Sequence, residues 1–281
     1  MTEYGKDARV SYSAYLKVSE LLSLQQPLAD PAAHDELQFI VVHQVYELWF
    51  KLVLHELDAV KAALDVAAES DDDTPLRTAV RLLKRVETIF KVLVQQIHVL
   101  ETMRPSDFLD FRAQLNPASG FQSAQFREVE CMLGLKDSEL IRRVADDPRI
   151  AVLQGRFEGD TLTDALYRLL AARGHAVTPP DAHRTEAQAA STLHALRTIY
   201  EQPDDHAALY DLCEAFVDLD EQLVLWRRHH IMMVERQIGS KPGTGKGITG
   251  DLDGIRYLLT TLSRQAVPDL WAVRTVLETD G

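Results

Sequence analysis

Cysteine is almost missing from this sequence: there are two in 281 residues, Cys131 and Cys213, far apart in the chain. Two isolated thiols supply neither a disulfide framework nor a paired-cysteine zinc or redox site. Basic residues are outnumbered, 30 Lys and Arg against 43 Asp and Glu, for a formal net charge of −13. That balance lacks the basic footprint that nucleic-acid phosphates require, so no nucleic-acid partner is expected. Glycine (13) and proline (11) are scarce, which excludes collagen-like and low-complexity composition. No apolar run approaches the roughly 18 residues needed to span a bilayer. The start, Met1 to Asp7, has no apolar leader core. A cytoplasmic protein without membrane association is therefore expected. No alternating β-branched run is long enough for a sheet.

What is present is helical period. Phe39, Val42, Tyr46, Trp49, Phe50, Val53, Leu57, Val60 and Leu64 recur at steps of three and four, predicting one long helix over 35–67. Asp71 to Asp73, ahead of Pro75, reads as a solvated cap before a second long helix over 76–102, which Pro105 ends. A shorter helix is expected at 13–24, and others at 122–133, 137–146, 161–173 and 185–201. A last long helix covers 207–238, and helices at 252–264 and 269–277 close the chain. Pro117 to Gly120 reads as an ordered loop. No internal repeat or Gly/Ser-rich linker divides the chain, so residues 1–281 are expected to form one all-α domain built on long antiparallel helices.

Several metal and nucleotide motifs fail on spacing. A di-iron bundle needs an acid three residues before its histidines, and none of the ten histidines has one. His55-Glu56 opens like a zinc-protease motif, but Ala59 stands where the second histidine belongs. Gly245 to Gly250 matches a dinucleotide fingerprint formally, yet it follows a helix where a strand is required. A phosphate loop would need glycine in place of Ser240.

Two histidines fall on apolar helix faces. His230 has Leu223, Trp226, Met233 and Val234 at helical spacing, an apolar stripe with one imidazole in it. It reads either as a core histidine satisfied by a carbonyl or as the axial ligand of a large flat cofactor such as haem. His229, about 100° around the helix, is the solvent-facing one of the pair. His43 has Phe39, Tyr46 and Phe50 on its face, which suits either an aromatic core or recognition of an aromatic ligand bearing an N–H. Arg112 follows Phe108 and Phe111 and reads as a surface ion pair or as a bidentate clamp for a carboxylate.

Longer segments carry a family signature. They are Tyr12 to Leu16, His34 to Lys51, Leu100 to Arg112, Pro117 to Ser123, and Leu225 to His230 running into Ile238 to Gly245. In order and spacing, from about residue 10 to the C-terminus, the sequence resembles the tryptophan 2,3-dioxygenases. The resemblance implies an all-helical, homotetrameric enzyme using ferrous haem b and O2. It would open the indole ring of L-tryptophan to give N-formylkynurenine, in tryptophan catabolism through the kynurenine pathway. It also implies site roles. His230 matches the axial haem ligand, and His43 the catalytic distal histidine that accepts the indole N–H. Phe39 and Phe108 match the apolar wall around the indole, Arg112 the carboxylate clamp, and Thr244 the contact to the amino-acid head group. Ser119 and Gly120 match a loop bordering haem and substrate. Tyr12, Tyr15 and Leu16 match an N-terminal segment, within residues 1–30, that completes a neighbouring subunit's site.

The segment 239–254 matches the loop that covers substrate. It departs from the family pattern in length and in carrying Lys246, Asp251 and Asp253, and Ser13 stands where glycine is common. The altered loop motivates an alternative: a related monooxygenase that inserts one oxygen atom into a tryptophan analogue, such as a β-substituted tryptophan, to give a 2-oxindole. A haem-binding bundle without turnover is the third reading.

Overall fold

The computed structural model describes residues 10–116, 118–181, 183–239 and 254–278. Its elements are α1 (Tyr12–Leu16), α2 (Val18–Leu21), α3 (Glu36–Ala68), α4 (Thr74–Leu100), α5 (Pro105–Arg112), α6 (Ala124–Met132) and α7 (Ser138–Arg143). They continue with α8 (Ile150–Glu158), α9 (Leu162–Ala172), α10 (Glu186–Glu201), α11 (Ala207–Ile238), α12 (Gly254–Thr261) and α13 (Pro268–Ala272). Short 3-10 turns lie at Ala113–Leu115, Gly120–Gln122 and Val273–Val276, and no strand occurs among the described residues.

The frame is three long helices. α3 and α4 are joined by five residues, so they pack as antiparallel neighbours. The Gln237 side chain, near the end of α11, donates to the carbonyls of Leu100 (3.2 Å) and Met103 (3.0 Å), at the end of α4. α4 and α11 therefore run in the same direction, and α3 runs against both. Their shared faces bury Val53, Leu57, Leu64, Leu83, Phe90 and Leu223, each essentially inaccessible to solvent. Helix α9 covers α3 near its end, and α6 packs between α3 and α8. By length and composition, α3 is apolar enough to cross a membrane, contrary to the sequence expectation. Its apolar residues divide between this core and an outer row, Leu37, Val41 and Leu48, left exposed on the single chain.

Several boundaries differ from expectation for local reasons. Pro105 starts a helix rather than ending one. Arg104 before it is extended, and proline at a first helical position loses no intrahelical hydrogen bond. The expected 13–24 helix is two short ones, broken where Lys17 adopts a left-handed conformation (φ 54°). At the acidic turn the N-cap Asp73 makes no capping hydrogen bond and pairs instead with Arg173 at 3.0 Å, while Asp72 Oδ1 accepts from Thr74 N at 2.9 Å. Helix α8 was not anticipated; it packs against α6 around Cys131, Val144 and Leu153.

Candidate active site

The bundle end where α3 begins and α4 and α11 finish gathers Phe39, His43, Phe108, Arg112 and His230. Phe39 and His43 sit one turn apart on α3, their rings 4.0 Å apart between centroids. Phe39 also meets Phe108 (5.7 Å) and Phe111 (5.6 Å) of α5, and those two rings cross edge to face at 5.4 Å. Phe111 is fully buried and roots this aromatic wall, while Phe39 and Phe108 keep part of their surface open. The wall thus consists of the two predicted rings plus Phe111, whose part depends on α5 docking against α3.

His43 is oriented by its own helix. Its Nδ1 lies 2.7 Å from the Phe39 carbonyl oxygen, a position that only an N–H can satisfy. The Nε2 lone pair is therefore left free to accept a hydrogen bond. Burial lowers the His43 pKa below 6.5, outweighing the opposing effects of the Phe39 carbonyl and the Glu47 charge. His43 is neutral at pH 7.

His230 projects from α11 on the other side. Its ring lies parallel to Trp226, one turn earlier, with centroids 5.5 Å apart and 16° between planes. Burial pulls its pKa down to about 4, and the charges of His43 and Arg127 push the same way. The two imidazoles thus lie within electrostatic reach of one another. Both sit deep in the fold yet keep part of their surface open. Among the described residues, the His230 ring nitrogens have no hydrogen-bond partner, which removes the carbonyl-satisfied core reading. His229 is half-buried, edge-on to His98 at 5.7 Å.

The support behind His230 was not legible in the sequence. Arg127 and Arg227 share Glu130 (2.7 Å each), and all three are buried. Arg227 also donates to the Thr261 carbonyl at 3.1 Å, tying α6, α11 and α12 together. Buried charges hold only when paired in this way. The three carry one net positive charge, and Arg127 is the member that His230 feels.

Arg112 ends α5, one turn beyond Phe108 and half-buried. Ser119 caps the turn that follows: its hydroxyl accepts from Phe121 N, and its own N–H donates to Gln122 Oε1 at 2.9 Å. Gly120 has open space where a Cβ would stand. Tyr12, Tyr15 and Leu16 are not brought to this site in the single chain; they are 76, 74 and 45% exposed. Thr244 and the loop around it, 240–253, lie outside the described residues. Among those residues no three His, Cys, Asp or Glu side chains converge as a metal cluster. Two surface grooves, of about 290 and 480 Å³, lie at the opposite end, near Arg81 and His206, and contain none of the candidates.

The chain is similar in sequence to known proteins over nearly its whole length. The sequence model of the tryptophan 2,3-dioxygenase family matches residues 2–147 and 139–277. The chain is 45% identical to the tryptophan 2,3-dioxygenase of Anaeromyxobacter sp. (strain K) over 274 residues, covering 96% of this chain and 97% of the relative. It is 42% identical to that of Caulobacter vibrioides over 275 residues, covering 95% and 98%. With that of Nocardioides sp. it shares 43% over 272 residues, covering 96% of each.

Proposed function

The chain belongs to the tryptophan 2,3-dioxygenase family, and from that premise we propose how its residues act as a haem-dependent dioxygenase on L-tryptophan. The reaction cleaves the indole C2–C3 bond and the O–O bond, leaves one oxygen atom as a carbonyl on each carbon, and so yields N-formylkynurenine. One observation carries the reading: two imidazoles that burial keeps neutral, His43 on α3 and His230 on α11, lie within electrostatic reach of each other beside an aromatic wall.

His230 would hold the haem iron. It is neutral at pH 7, has no protein hydrogen-bond partner among the described residues, and is held flat by Trp226. An imidazole in that state offers a lone pair to iron without first losing a proton. When bound, ferrous haem supplies the site at which O2 is activated.

The remaining work is positioning. The Nε2 of His43 accepts the indole N–H and fixes which edge of the ring faces the cofactor. Phe39 and Phe108 flank the indole, and Phe111 stiffens them from behind. Arg112 pairs with the substrate carboxylate, and Thr244 contacts the amino-acid head group. Ser119 and Gly120 border the site, where the open space at Gly120 admits a bulky neighbour. The segment 239–254 covers substrate and excludes water. Residues 1–281 act as one domain in a cytoplasmic homotetramer, in which Tyr12, Tyr15 and Leu16 complete the site of a neighbouring copy. Their exposure on the single chain supports that last assignment.

Product mass tests the reaction. Anaerobically reduced, haem-loaded protein given L-tryptophan and O2 is expected to yield a product heavier by two oxygen atoms. A gain of one would mean the 2-oxindole reaction, which no structural observation favours, and an unreacted substrate would mean a binding bundle.

His43 has its own test. His43→Ala is expected to lower kcat/KM for L-tryptophan about tenfold, the loss of roughly one hydrogen bond, without abolishing turnover. With 1-methyltryptophan, which has no indole N–H, the two proteins should differ little. Because burial holds the His43 pKa below 6.5, protonation removes the acceptor only at lower pH. The rate should therefore hold through neutral pH and fall only on the acid side of the ordinary histidine range, and His43→Ala should lose that acid limb.

A further inference from the structure

Among the described residues, the N-terminal arm is attached to the fold at one short stretch. Neither α1 nor α2 contains a buried residue. Val10, Tyr12, Tyr15, Leu16, Leu22 and Leu24 are 45 to 76% exposed. Two helices of five and four residues cannot hold themselves in water without a surface to pack on. The chain becomes anchored only at residues 24–29. Gln44 donates to the Leu24 carbonyl at 3.0 Å and accepts from the Gln25 side chain at 2.5 Å. The decisive contact is Glu36, which is 1% exposed. One of its oxygens accepts from Leu28 N at 2.7 Å and the other from Ala29 N at 2.9 Å.

A buried carboxylate normally has a cationic partner, because desolvating an unpaired charge is costly. Among the described residues Glu36 has no Lys, Arg or His within ion-pair distance. Its two backbone donors are its only partners, so its charge serves to fix the path of residues 28 and 29. It does so from the first turn of α3. Glu36, Phe39 and His43 follow one another at three and four residues along one face of that helix, so the strap and the aromatic wall share a rigid element. The strap therefore fixes the arm's departure relative to the wall.

We propose that Glu36 is a positioning residue that aims the arm of one copy of the chain into the substrate site of a second copy. This rests on the proposed completion of the site by Tyr12, Tyr15 and Leu16 and adds the element that directs them. A second copy is the occupant because the arm offers apolar and aromatic side chains, and its own chain leaves a matching apolar row, Leu37, Val41 and Leu48, exposed on α3. That row and the arm would be covered together in an assembly of copies.

The experiment uses full-length, haem-loaded protein. Glu36→Gln keeps the shape but sets an amide NH2 against a backbone N–H. It is expected to raise KM for L-tryptophan about tenfold, the loss of roughly one hydrogen bond to a charged group, while kcat and haem content per chain stay near the unaltered protein. Gln44→Ala should move KM the same way by a smaller factor, and it covers the case in which Glu36→Gln folds poorly. Co-expression then separates action in trans from action in cis. Glu36→Gln chains, with a misdirected arm but an intact pocket, are combined with Arg112→Ala chains, which have an intact arm but a defective pocket. The mixed assembly should recover a KM component close to the unaltered value. The same mixture with Tyr12 and Tyr15 also changed to alanine on the Arg112→Ala chain should not. An unchanged KM in both strap variants, or a raised KM that the mixture fails to correct, overturns the proposal. Loss of haem binding or ring opening in the unaltered protein would instead remove the functional reading on which it rests.

Discussion

His230→Ala is expected to give a folded protein that does not retain haem through gel filtration. The fold should survive because the His230 ring has no hydrogen-bond partner among the described residues, so truncating it orphans no protein group. The ring is partly open, so the cavity left beside Trp226 should cost about 1–2 kcal/mol, below the range for large buried side chains. That is a modest share of the stability of a chain this size. The cofactor has no such margin, since a haem held by one axial histidine loses its only covalent attachment. The measurement is Soret absorbance per chain after desalting, with far-UV circular dichroism as the control for folding. Added imidazole, which can enter the vacated space beside Trp226, should restore much of the Soret band. A substitution that leaves haem content normal would remove His230 from the axial position.

The local part of this site was legible because a helix writes its faces into the sequence. His230 stood in an apolar stripe and His43 among aromatics, and spacing of three and four put Trp226 beside the one and Phe39 beside the other, as their ring contacts show. The hydrogen bond from His43 to Phe39 is likewise a one-turn contact. What spacing could not supply was the meeting of distant elements. Phe111 joins Phe39 only because α5 starts at Pro105, and a proline gives the same local signal for stopping a helix as for starting one. The break at Lys17 left no signature, since a lysine in the left-handed region looks like any other lysine. Helix α6 misleads in another way. Its Arg127, Glu128 and Glu130 are all buried, where Arg127 and Arg227 pair with Glu130 and Arg149 pairs with one oxygen of Glu128. Charge that is neutralised across helices is invisible to a pattern read along one. The two readings of Arg112, surface ion pair or carboxylate clamp, also could not be separated by spacing, and only a change of substrate separates them.

Arg112→Ala should lower kcat/KM for L-tryptophan by about thirtyfold to several thousandfold, corresponding to the roughly 2–5 kcal/mol lost when one partner of a desolvated charge pair is removed. The size of the effect depends on where Arg112 lies. It ends α5, half-buried, one turn from Phe108, where the wall excludes part of the surrounding water and strengthens the attraction between guanidinium and carboxylate. A fully exposed pair would be worth under about 1 kcal/mol, and the same substitution would then cost less than about fivefold. Substrate chemistry isolates the pair. Tryptamine has the indole and the amine but no carboxylate, so the unaltered protein should handle it poorly and Arg112→Ala should handle it no worse. The substitution then costs far more against L-tryptophan than against tryptamine, and the ratio of those costs is the coupling between the two groups. Arg112→Lys should recover only part of the loss, since an ammonium keeps the charge but not the planar pair of donors that matches a carboxylate. Haem content should be unchanged throughout, because the residue that would hold the iron, His230, projects from α11 and not from α5. Equal losses with both substrates would mean that Arg112 supports the wall beside Phe108 and leaves the carboxylate to another residue.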